Sequence, residues 1–78
     1  MKLEHSERYK MLGLRIAYFR KMKGFTQEQL AEKLGKSTGY IGAVEAINVE
    51  RAISLDLLFD IADLLDVSAY KFLQFDDE

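Results

Sequence analysis

Cysteine is absent from the 78-residue chain. That removes disulfides and thiolate metal sites, and it implies a reducing, cytoplasmic setting. Proline is absent as well, and glycine occurs only five times. Breaks between helices must therefore come from Gly, Asn and Ser. No apolar run approaches the roughly 20 residues of a membrane span. Residues 1–10 are polar and lack the apolar core of a signal peptide. A single histidine, His5, and the lack of a glycine-rich phosphate loop leave little for catalysis. The chain reads as a non-enzymatic protein with no cofactor, no metal, no membrane association and no evident small-molecule ligand. Period-two alternation is missing too, so strands are not expected.

What is present is apolar periodicity of the helical kind, in a chain whose length fits one domain, residues 1–78 with a core of about 6–74 and an acidic tail. The net charge of −2 conceals a split. Residues 1–51 carry ten Lys/Arg against six Asp/Glu, and residues 52–78 carry one lysine against seven acids, giving +4 and −6. Either the charges scatter on the surface or one face is turned toward a polyanion.

A first helix is expected over residues 6–23, with Tyr9, Leu12, Ile16 and Phe19 as one buried stripe. The basic run Arg20-Lys21-Met22-Lys23 followed by Gly24 suits its C-terminus. Thr26-Gln27-Glu28-Gln29 has the capping-box form, and opens a second helix with Leu30, Ala31 and Leu34 facing inward and Gly35 ending it. Ser37 caps a third helix, with Tyr40, Ile41 and Val44 as its apolar positions. Residues 46–53 hold either an extra helical turn or an overrun of the third helix. Ser54 caps a fourth helix with the stripe Leu55, Leu58, Ile61, Ala62 and Leu65, and Ser68 caps a short fifth over residues 69–73. Asp56, Asp60 and Asp63 share one face of the fourth helix; with no loop to supply further oxygens, a solvated face explains them better than a cation site.

The spacing of the second and third helices carries the function. Ala31 is small where the third helix must cross closely. Gly35 permits positive φ in the turn. Ile41 and Val44 anchor the third helix and leave its N-terminal half pointing outward. A helix held this way can enter the major groove while its partner crosses the DNA backbone.

On these residues the chain resembles the phage-repressor and Cro-like helix-turn-helix family (XRE type). The likeness is carried by Leu12-Gly13-Leu14-Arg15-Ile16, by the run from Gly24 to Gly35 with its TQEQLAEKLG core, by Tyr40-Ile41 and Glu45, and by Ile61-Ala62 and Leu65-Asp66-Val67-Ser68. It covers about residues 10–74. It implies an all-α, compact five-helix bundle of the lambda-repressor-like type, with helices 2 and 3 as the helix-turn-helix, and a dimeric, cytoplasmic regulator of transcription that binds double-stranded DNA. By position, Gln27 would hold a phosphate through its side chain and backbone N–H, and Arg20 and Glu45 would form a buried ion pair tying the first helix to the third. Ser37, Thr38, Gly39, Gly42 and Ala43 fall at groove-facing positions, where relatives carry longer polar side chains. Gly39 and Ala43 offer no side-chain donor or acceptor to a base edge. Thr38 can contact a thymine methyl or a base acceptor; Tyr40 either donates to a phosphate or packs; Lys36 is a phosphate contact or a solvated turn lysine. In the connection to the fourth helix, Asn48 and Arg51 are the residues able to reach a phosphate.

Tyr70, Phe72, Leu73 and Phe75 are dense for the end of a small chain. They either form a two-fold dimer contact, suited to half-sites about 34 Å apart, or close the core of a monomer. Two functions remain open: a sequence-specific DNA-binding regulator, with a repressor favoured, and a protein-interaction module of the same fold, such as an antitoxin-like or assembly partner. The short residues Gly39, Gly42 and Ala43 favour the second; the capping box, Gln27 and the basic first half favour the first.

Overall fold

The computed structural model describes residues 5–46 and 52–75. Among them are four α-helices: α1 (Ser6–Met22), α2 (Gln27–Leu34), α3 (Thr38–Glu45) and α4 (Leu55–Leu65). A 3-10 segment, Ala69–Leu73, follows. No strand occurs among the described residues.

Local chemistry sets most of the boundaries. α1 ends where Gly24 takes φ +81°, a left-handed geometry that suits glycine. α2 begins with a complete capping box: Thr26 Oγ1 accepts the Gln29 N–H at 3.0 Å, and Gln29 Oε1 accepts the Thr26 N–H at 2.9 Å. It ends at Gly35, φ +69°, from which the Lys36 amide reaches back to the Ala31 carbonyl at 2.9 Å. Ser37 and Ser54 cap α3 and α4 by accepting the Tyr40 and Leu57 amides. α3 stops at Glu45 because Ala46 is extended, so the helix does not overrun into residue 46; residues 47–51 lie outside the described set.

Three expectations change. The fifth element is a 3-10 turn rather than an α-helix, and the Ser68 side chain makes no cap bond. Five residues are too few to offset helix nucleation, and the tighter 3-10 winding serves a short piece. In α4 the buried face is led by Leu57, whereas Leu55 is exposed. Ser54 begins the helix one turn before the core, so Leu55 falls on its outer side. In α1, Leu12 and Ile16 are buried, while Tyr9 and Phe19 are only half-buried.

The core lies between the four helices. Ile16, Leu30, Ile41, Leu58, Ile61 and Leu65 are sealed from solvent, and Phe72 is inserted among them at 0% exposure, its ring edge-on to Phe19 with centroids 5.0 Å apart. Arg15 Nη2 donates to the Gln74 carbonyl at 2.8 Å and straps the C-terminal segment across α1. Gly13 sits where α1 crosses α3: a Cβ there would collide with the Val44 carbonyl oxygen, so the two helices touch backbone to backbone.

Candidate nucleic-acid interface

α3 presents two faces. Ile41 and Val44 are buried against α1 and α2, and Ser37, Thr38 and Gly39 at its N-terminal end are exposed. The short turn after α2 holds α3 across α2 with its first turn projecting outward. Gly39 faces open space, with nothing within 4 Å of where a Cβ would be. Gly42 and Ala43 are half-buried on the same helix. A recess lined by Glu28, Glu32, Lys36, Ser37 and Thr38 lies between α2 and the start of α3. Lys36 extends its ammonium over the Tyr40 ring, 5.6 Å from the centroid. The half-buried ring is thus shared between packing and a cation contact.

Behind this surface α3 is clamped. Arg20 Nε donates to Glu45 Oε2 at 2.7 Å and Arg20 Nη2 to Glu45 Oε1 at 3.0 Å, a bidentate pair with side chains 7% and 5% exposed. Arg20 Nη1 donates to the Phe25 carbonyl at 2.7 Å. One guanidinium therefore ties α1, the turn before α2, and the end of α3, with planar geometry that a lysine does not supply. Gln27 joins the same group: its Nε2 donates to Glu45 Oε1 at 2.9 Å, and its Oε1 lies 3.5 Å from the position of a Gly42 Cβ. The Gln27 side chain is drawn inward to α3, while its backbone amide precedes the first intrahelical bond of α2 and points out of the helix start.

The structure thus brings together Arg20, Gln27 and Glu45, and sets Lys36, Ser37, Thr38, Gly39 and Tyr40 on one outer surface beside them. Asn48 and Arg51 fall outside the described residues. At the C-terminal end the four aromatic and apolar candidates separate. Tyr70 and Leu73 are 63% and 48% exposed, Phe75 is half-buried, and Phe72 is wholly enclosed. Phe72 is therefore a core residue, not a contact for another chain, because a 3-10 turn directs it between α1 and α4. Two features escaped the sequence reading: the Gln27–Glu45 bond and the demand for glycine at position 13. Partners 18 and 31 residues apart leave no mark in periodicity, and only the family-like Leu-Gly-Leu run pointed at Gly13.

A family model described as helix-turn-helix matches residues 16–72. The chain is 46% identical over 57 residues to the uncharacterized HTH-type transcriptional regulator YazB of Bacillus subtilis (strain 168), covering 73% of this chain and 80% of that protein. It is 37% identical over 68 residues to the HTH-type transcriptional regulator SinR of Bacillus licheniformis, covering 87% of this chain and 60% of that one. The chain therefore spans less than two thirds of SinR. Among solved structures, the restriction-modification controller protein C.AhdI from Aeromonas hydrophila superimposes with a TM-score of 0.79 at 30% identity, over 88% of this chain and 97% of that one. The master regulator for biofilm formation SinR, solved in complex with DNA, superimposes with a TM-score of 0.72 at 35% identity, over 81% and 98%.

Proposed function

Because the chain belongs to the helix-turn-helix family of XRE (Cro/C1) type, we propose that it is a DNA-binding transcriptional regulator, most simply a repressor, that lays α3 in the major groove. The observation that carries this reading is the division of α3. Its anchoring residues Ile41 and Val44 are buried, while Ser37, Thr38 and Gly39 project into solvent beside the N-terminus of α2. A relative at 35% identity has been solved with DNA, which supports the same use of this surface here.

Phosphates would be held by the outward amide of Gln27, by Lys36 and Tyr40, and by Asn48 and Arg51. Base edges would meet Ser37, Thr38 and Ala43. Gly39 and Gly42 extend the surface without reaching out of it. The fold gives neither glycine a structural need, since one faces open space and the other has ordinary clearance to Gln27. Glycine at a ligand-facing position permits close approach of the backbone. We therefore read the α3 surface as a platform that sits deep in the groove, contacts thymine methyls and the backbone, and relies on DNA shape for much of its selectivity.

The fold would be one domain over residues 1–78, with the 3-10 segment in the place of a fifth helix. Two chains would pair through the exposed Tyr70 and Leu73, with Phe75 at the margin, to match paired half-sites. The protein would act in the cytoplasm, as a binding protein and not a catalyst; no described helix is long and apolar enough to cross a membrane.

Selection from a random duplex pool tests the proposal. An enriched motif is expected, and Gln27→Ala is expected to weaken binding about equally on all sequences, by roughly tenfold, because the phosphate-facing amide stays but the side chain that ties the start of α2 to Glu45 of α3 is lost. Enrichment of nothing, with no salt-dependent binding, would leave the protein-interaction module in its place.

A further inference from the structure

The start of α1, the start of α4 and the C-terminal 3-10 segment enclose a half-open cavity of about 290 Å³. Leu12 and Leu58, both buried, form its floor. Leu55, 62% exposed, and Leu73 stand at its sides. Arg8 and His5 also line it, with Arg8 Nη1 lying 3.4 Å from His5 Nδ1. Because Arg8 is exposed, the cavity is apolar in its depth and polar at its mouth. Tyr70 belongs to the same surface. In a 3-10 winding, residues three apart eclipse, so Tyr70 and Leu73 share one face, roughly 6 Å apart along the axis, while Phe72 turns inward. An exposed ring and the wall of a cavity thus lie side by side.

We infer that Tyr70 of a second copy enters this cavity, the two copies exchanging rings about a two-fold axis, with each Tyr70 crossing Leu73 of the other chain. The inference rests on the two-fold pairing proposed above and says what that pairing joins. A two-fold contact uses one patch twice, so knob and hole must lie on the same patch. Tyr70 and the cavity beside Leu73 supply both. The ring also suits the site chemically. Its apolar faces match Leu12, Leu55 and Leu58, and its hydroxyl accepts from Arg8, which has five donors and directs one of them to His5. Phe59 lies one turn along α4 from Leu55 but has no polar atom to offer the guanidinium; it extends the apolar rim instead. Exposed Leu55, Phe59, Tyr70 and Leu73 of both copies, with the rim around them, reach about 1,200 Å², where specific interfaces begin.

Methyl NMR of leucine-labelled chain mixed with unlabelled chain, followed over a concentration series, tests it. The Leu12 and Leu58 methyls, although buried, should shift as pairs form. Isotope-filtered contacts should link the Leu58 methyls to the Tyr70 ring of the unlabelled chain. Tyr70→Ala, altered at an exposed position, should leave the thermal melt unchanged and weaken pairing by roughly thirtyfold or more. Tyr70→Phe should lose less, keeping the ring and forfeiting only the hydroxyl. Absence of the contact between Leu58 and the second chain's Tyr70 overturns the proposal; where the Leu73 methyls still shift with concentration, the two-fold pairing stands without the inserted ring. A chain that stays monomeric at about 1 mM overturns both.

Discussion

Gly13, Gly39 and Gly42 all lie inside helices, where glycine costs about 1 kcal/mol relative to alanine. They are not equivalent. Gly13 is required by the backbone contact with Val44, whereas Gly39 faces open space. Gly13→Ala is expected to destabilise the fold by at least about 1–3 kcal/mol, as overpacked core sites do. Gly39→Ala is expected to stabilise it by up to about 1 kcal/mol while weakening DNA binding; thermal melts and a binding titration read the two effects. The Arg20–Glu45 pair makes a second residue-level forecast. Arg20→Ala strands a buried carboxylate and should cost about 3–5 kcal/mol, whereas Arg20→Met with Glu45→Met should cost clearly less, because a buried charge left alone is worse than none. Chemical denaturation of the two variants decides it; equal losses would show that the pair stabilises more than an apolar replacement can. At this scale the sequence was only partly informative. The arginine and glutamate could be matched by position, but the bond that turns Gln27 inward depends on where α3 lies in space.

For the helices themselves, legibility followed capping chemistry. Thr26, Ser37 and Ser54 each announced a start that the structure contains, and Gly24 and Gly35 each announced an end. The same rule failed at Ser68, whose side chain makes no cap bond. It was silent at Asp66, which closes α4 in a left-handed conformation with φ 57° and no glycine to signal it. Asp66→Gly should relieve that conformation and raise stability by about 1 kcal/mol, less the entropy that glycine returns to the unfolded chain, as a thermal melt would record. Periodicity placed Leu58, Ile61, Ala62 and Leu65 correctly and misplaced Leu55, because a residue in the first turn can obey the repeat and still project beyond the end of the core.

The whole molecule is electrically polar, with +4 in its first 51 residues and −6 in the rest. Few of those positive charges belong to the proposed DNA contacts: Lys36 and Arg51 alone are cationic. The logarithm of the binding constant should therefore fall against the logarithm of salt concentration with a slope of about −2 per bound chain, twice that for a pair. A titration over salt measures it, and a much steeper slope would add further lysines, such as those of α1, to the interface. The fold class was readable from composition and spacing, since all-helical periodicity leaves few alternatives. The separation of Phe72 from Tyr70 and Leu73 was not, because a 3-10 turn and an α-helix send neighbouring side chains in different directions.

The contact at Gly13 also has a mechanical meaning. With the α1 backbone lying directly on the Val44 carbonyl at Gly13, and Arg20 gripping Glu45 further along the same two helices, α1 is joined to the helix that faces DNA at two points, one backbone to backbone and one through a bidentate ion pair. The pair forms one stiff lever. A displacement of α1 is therefore expected to carry α3 with it, and so to shift Ser37 and Thr38 at the exposed start of that helix.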